Sequence, residues 1–166
     1  LETGVLQEEA TSIGATAASR AVAKQAISSG KTLEETGAAV ERAVTGAGVD
    51  GAEANAIISS SSGSALSASV TDSAEIAARQ AFAKGMSSFK VGRTAFLAAN
   101  STHGITESEA SFISSYAIAK LIAENQMTAG TKTNAEIKLE IIQGIKGAGL
   151  EGEFATDLSD KEVTEA

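Results

Sequence analysis

The chain has 166 residues, a formal net charge of −8 and a sequence pI of about 4.7. That balance offers no basic face to a nucleic-acid duplex, and the absence of Cys excludes disulfides, a thiolate metal site and a Cys nucleophile. Hydrophobic residues make up 43% but aromatics only 4%, with no Pro and no Trp, which favours closely approaching helices over a bulky core. The apolar runs are too short to span a bilayer, no charged-then-apolar leader opens the chain, and Leu1-Glu2 is compatible with a cloning remnant.

Taken in order, residues 5–28 read as a first helix with Ile13, Ala17, Ala21, Val22 and Ala26 on one apolar stripe. Ser28-Ser29-Gly30 stops it. Thr32 to Glu35 forms a capping box for a second helix running to about Thr45, with Leu33, Val40 and Val44 inward. Gly37 weakens that helix by roughly 1 kcal/mol relative to Ala, unless a neighbour crosses closely there. A third helix follows Asp50, with Ile57, Ile58 and Leu66 inward. Its centre, Ser59-Ser60-Ser61-Ser62-Gly63-Ser64, reads either as a flexible linker or as a buried small-residue helix. The helical spacing of Ala54, Ile57, Ser61, Ala65 and Ala68 favours the helix.

Asp72 with Glu75 predicts a new helix start, with Ile76, Ala77, Phe82 and Met86 inward and a Glu75–Arg79 pair on its surface. Gly85 to Ser88 interrupts the pattern, and a fifth helix over 90–99 is anchored by Phe89, Phe96 and Leu97. After the polar stretch Asn100 to Gly104 comes the most hydrophobic element, 107–127, with Phe112, Ile113, Tyr116, Ala117, Leu121 and Ile122 on a wide apolar face. This is the expected central helix. Thr133 and Glu136 cap a seventh helix with Ile137, Ile141, Ile142 and Ile145 inside, and a short eighth covers 151–158. Residues 159–166 form an acidic tail expected to fray.

A ten-residue pattern recurs along this order: Gly, aliphatic, three variable residues, usually Glu-Ala, two variable residues, then Ile or Leu. Its copies begin at Gly4, Gly48, Gly104 and Gly149, spaced 44, 56 and 45 residues apart. Such periods mark arrays of supersecondary units. Each copy reads as a helix exit followed by a helix start, the glycine closing one helix and the aliphatic residue stapling onto the next. Capping boxes at 32, 50, 72, 106 and 133, with no comparable strand signal, predict an all-α fold. The expected architecture is a compact bundle of six to eight short helices, a single repeat domain over 1–166.

Chemistry-bearing patterns are sparse. The one histidine, His103, lies in a loop without the second His, Cys or clustered carboxylates that a zinc site needs. There is no Gly-x-Ser-x-Gly, no phosphate-binding glycine loop and no His-Glu-x-x-His. The acidic pairs Glu8-Glu9 and Glu34-Glu35 sit at helix starts, where the helix dipole accounts for them. Asn100-Ser101-Thr102 matches the N-glycosylation sequon. The expectation is therefore no catalytic residue, no metal and no cofactor.

Short Ala/Ser-rich helices, glycine-aliphatic breaks and phrases such as Ala47-Gly48-Val49-Asp50-Gly51, or Ser73 to Ala77 leading into Gln80-Ala81-Phe82, resemble the helical repeat domains of spider silk proteins, nearest to the wrapping (aciniform) and egg-case (tubuliform) types. The likeness spans about residues 30–125, although this chain is more charged, richer in Val and Ile and poorer in Ser. The resemblance implies a secreted, extracellular structural protein. It would be stored as helical globules and assembled into fibres by self-association with other silk repeats. No membrane, nucleic-acid or small-molecule partner is implied. The alternative is a helical-bundle interaction module of a larger secreted or surface protein.

Overall fold

The structure, a computed structural model, describes residues 2–165. All seven elements among them are helices: α1 (Glu2–Ser28), α2 (Leu33–Gly46), α3 (Gly51–Ala83), α4 (Ser88–Asn100), α5 (Glu107–Ala129), α6 (Asn134–Gly147) and α7 (Glu153–Glu165). The all-α, multi-helix expectation holds. The helices pack as two compact units, Leu1–Ser69 and Val70–Ala166, where the sequence suggested one domain over 1–166. The division falls inside α3.

In the first unit α1 packs on α2, and one buried cluster joins Ala15, Ala23 and Ile27 to Val40, Val44, Val49, Ala54, Ile57 and Ala65. In the second, α5 and α6 each touch α4, α7 and one another. α5 buries ten residues, Ala110 to Ala123, and is a central helix as expected. The isoleucines Ile118, Ile122, Ile137, Ile141 and Ile145 are fully buried and form the bulk of that unit's core.

The helix junctions follow from local chemistry. At Gly48 the backbone is left-handed (φ 84), its N–H donates to Thr45 O at 3.0 Å, and the Val49 N–H reaches back to Val44 O at 3.3 Å. Gly149 repeats the arrangement with Lys146 O and Ile145 O. These six-residue closures satisfy carbonyls that the helix end leaves unpaired. The residue after each glycine then turns inward: Val49 is buried, and Leu150 is half-buried. Further along, Ala54, Ala110 and Ala155 are buried at the equivalent step of the pattern, and so are Val40, Phe96 and Ile141 eight residues before the glycines. The copies at Gly48 and Gly149 thus mark the same closure, while Gly104, also left-handed (φ 87), stands four residues beyond the end of α4 and leads into the Thr106 box. The copy at Gly4 does not, because Gly4 lies inside α1.

Three of the five predicted capping boxes form, at Thr32, Thr106 and Thr133, each with the partner Glu three residues on. The box predicted at Asp72 is a correction: α3 runs unbroken through it for 33 residues. Every box that forms follows a left-handed glycine, Gly30, Gly104 or Gly130, by two or three residues. Residues 65–71 contain no such stop, so nothing makes the chain leave the helix before Asp72. At Asp50 the following residue, Gly51, is itself left-handed (φ 64), so it cannot be the helical first residue that a capping box requires.

In the boxes, hydrogen bonds from Thr32, Thr106 and Thr133 hold Glu35, Glu109 and Glu136 below the ordinary carboxylate range. For Glu35 and Glu136 the backbone bond contributes most; for Glu109 the side-chain bond does. A carboxylate whose value is lowered by folding stabilises the fold above its unfolded value and loses that contribution as pH falls through the folded one. Thermal stability is therefore expected to decline as pH drops below about 4.3. A Thr106→Ala variant should lose roughly 1 kcal/mol in urea titration at pH 7, and its stability should vary less with pH in the acid range than that of the parent chain.

The inward faces are the second correction. Ile13 (70% exposed), Ile76 and Leu97 point outward, and Leu33, Met86 and Phe89 are also exposed. On α1 the buried side is Ala15, Ser19, Ala23, Ala26 and Ile27; on α3 it includes Val70, Ala74, Ala78 and Ala81; on α4 it is Val91, Gly92, Ala95, Phe96 and Ala99. On α4 the small-residue face lets the helix axes approach: a Cβ at Gly92 would collide with the Gly144 carbonyl of α6. The Ser59–Ser64 stretch is helical, with Ser61 and Ser62 buried. Neither Gly37 nor Gly63 has a neighbour within 4 Å of a Cβ position, so neither serves a close crossing. The expected frayed tail belongs to α7, with Ser159 and Val163 buried.

Candidate functional site

Among the concave regions of the second unit, two have linings that bear on function. The larger, of about 710 Å³, is lined by Phe82, Met86 and Phe89 around the α3–α4 turn, by Gln126 of α5, and by Leu139 and Gln143 of α6. Its origin is local. The turn at Gly85 ends α3 with the Gly85 N–H donating to Phe82 O at 2.9 Å and the Met86 N–H to Ala81 O at 3.2 Å. That closure leaves Met86 and Phe89 exposed, and Leu139 is 62% exposed on the neighbouring helix. The Lys132–Glu140 ion pair lies among the lining residues. Sequence reasoning assigned Met86 and Phe89 to the core. The signal for their exposure is the glycine stop at Gly85, which turns the chain before either can reach the interior.

The smaller region, about 250 Å³, is lined by Thr71, Glu75, Phe112, Ile113, Tyr116, Ala117, Lys120 and Glu162. Beside it Phe112, Tyr116 and Phe154 form a cluster with ring centroids 4.8 to 6.0 Å apart, a spacing suited to tilted and edge-on aromatic contacts. Burial raises the Glu162 carboxyl above its ordinary value, with Glu165 and Glu124 adding to the effect and Lys161 and Lys120 opposing it. Glu75 pairs with Arg79 at 3.8 Å, as the spacing predicts.

The sequence-level candidates are not brought together. His103 is exposed in the loop between α4 and α5 and lines neither cavity. Tyr116 is half-exposed in the aromatic cluster, with no His beside it among the lining residues. Asn100 is exposed in the last turn of α4. Among the described residues no group of three or more His, Cys, Asp or Glu side chains could hold a metal ion. Among them, too, no helix is long and apolar enough to cross a membrane. The larger region supplies apolar contact surface with a rim of amides and one ion pair. Comparisons with protein-family models, with curated proteins and with solved structures found no match.

Proposed function

We propose that this chain is a structural, non-catalytic repeat module of a secreted silk fibre protein, akin to the wrapping and egg-case silks of spiders. It is stored as soluble helical globules and self-associates into extracellular fibres. The observation that supports this reading most is the repeated helix junction at Gly48, Gly104 and Gly149, combined with faces of small residues and the uncharged stretch 54–71 held inside α3. A segment without charge or Pro is able to add to a sheet once its helix opens. The charge of −8 keeps concentrated globules apart until then.

Infrared spectra in the amide region, before and after shearing a concentrated solution into a solid, test the reading. The expected result is a helical solution spectrum that gains β-sheet bands in the drawn fibre. A helical spectrum that persists, with no fibre formed, would overturn it.

The second reading, an interaction module, is favoured by the groove at Met86, Phe89 and Leu139, whose apolar side chains stand exposed on one unit. Exposed apolar patches commonly mark contact sites. Under that reading a Leu139→Glu variant stays folded but loses a partner captured by the parent chain, and equal capture by both would dismiss it.

A further inference from the structure

We propose that the chain opens in two stages, with residues 1–69 forming the less stable unit, which unfolds while 70–166 remains folded. The division inside α3 sets the boundary. Four observations converge on it.

The first is core composition. Among the described residues, the largest fully buried side chains of the second unit are five isoleucines, Val70 and Val91; those of the first are Val40 and Val44. Each lost methylene removes transfer free energy, so the N-terminal core is the weaker of the two.

The second is polar satisfaction. Among the described residues, Thr36 Oγ1, Ser61 Oγ and Ser62 Oγ are buried in the first unit without a hydrogen-bond partner, against Ser114 Oγ in the second. Thr36 lies twelve residues before Gly48 and Ser61 thirteen after it, so α2 and α3 carry their orphaned hydroxyls at matching distances from the turn. A buried hydroxyl without a partner carries its full desolvation cost.

The third is surface electrostatics. All five ion pairs seen among the described residues lie within 70–166. Two of the three capping boxes lie there too.

The fourth is helix propensity. Residues 59–64 of α3 are five serines and a glycine, residue types that favour the helix weakly. A helix that must shorten does so where its residues hold it least. Units that open at separate free energies are a general property of folded chains.

On the silk reading above, the first stage has a use: it exposes the uncharged residues 54–69 while the second unit keeps its fold. The order of opening does not depend on that reading and is tested separately from it.

The test is hydrogen–deuterium exchange of the full chain, resolved by mass spectrometry along a urea series. Amides of α2 and of 51–69 are expected to lose protection at lower urea than those of α5 and α6. A single shared transition throughout the chain would overturn the proposal. Thr36→Val and Ser61→Ala, made singly, remove an orphaned hydroxyl with little change of shape. Each is expected to slow exchange in 33–69 by about tenfold, leaving α5 and α6 unchanged. Unchanged or faster exchange in 33–69 would overturn the role given to these hydroxyls, and with it the second of the four supports. The fibre experiment bears on the silk reading alone, so either idea can fail without the other.

Discussion

Replacing Gly147 by Ala is expected to destabilise the C-terminal unit by about 3 kcal/mol or more, the upper end of what overpacking costs. A Cβ at Gly147 would collide with the Phe89 carbonyl and stand 3.0 Å from the Arg93 nitrogen; at Gly92 it would collide with the Gly144 carbonyl. The obstacles on both sides are backbone. A side chain can rotate away from an intruding methyl group, but a helical carbonyl can move only if α4 and α6 separate. Gly144→Ala should cost less than either, because its nearest neighbours are side-chain carbons rather than backbone, Ile118 Cγ2 at 2.6 Å and Ile122 Cδ1 at 3.0 Å, but it still destabilises because both isoleucines are fully buried and Ile118 is branched at Cβ. Gly37→Ala should have the opposite sign. With nothing within 4 Å, it adds helix propensity and is expected to stabilise by up to roughly 1 kcal/mol. Urea denaturation of these three variants and of Gly92→Ala checks the series. If Gly147→Ala and Gly37→Ala shifted stability alike, the close backbone approach of α4 and α6 would be refuted.

Ile141→Ala is expected to cost about 2–5 kcal/mol, the range for emptying a well-packed aliphatic site. Ile141 is fully buried, and it occupies the position eight residues before a repeat glycine that Val40 and Phe96 also occupy. The α4, α5 and α7 helices surround α6, so the cavity has few ways to collapse. Leu139→Ala, two residues away on the same helix, removes a side chain that is 62% exposed and should change stability by less than about 0.5 kcal/mol. The contrast between the neighbours is the measurement. Equal losses in thermal melts would mean that the inward face of α6 is not the one described.

The groove at Met86, Phe89 and Leu139 was invisible to periodicity because a turn sets Met86 and Phe89 against residues of α5 and α6. Hydrophobic spacing assigns large apolar residues to the core whether or not a partner is present to cover them. In this chain it misplaced Ile13, Ile76, Leu97 and Met86 for that reason. Beside the buried Ile and Val, many residues on the helix packing faces are Ala, Ser and Gly, which carry little hydrophobic signal individually. Activity was not legible for a different reason: nucleophiles, bases and ligands announce themselves by spacing, and His103 has no companion.

The helix junctions belong to the sequence alone. A left-handed glycine and the threonine box that follows act within about six residues, so Gly30-Thr32, Gly104-Thr106 and Gly130-Thr133 specify their turns without help from the rest of the chain. Tertiary packing decided which side of each helix faces inward and that the helices gather into two units. Those outcomes rest on how closely two backbones approach. That closeness is a joint property of residues far apart in sequence, such as Gly92 with Gly144 and Phe89 with Gly147. No short window of the sequence contains both members of such a pair.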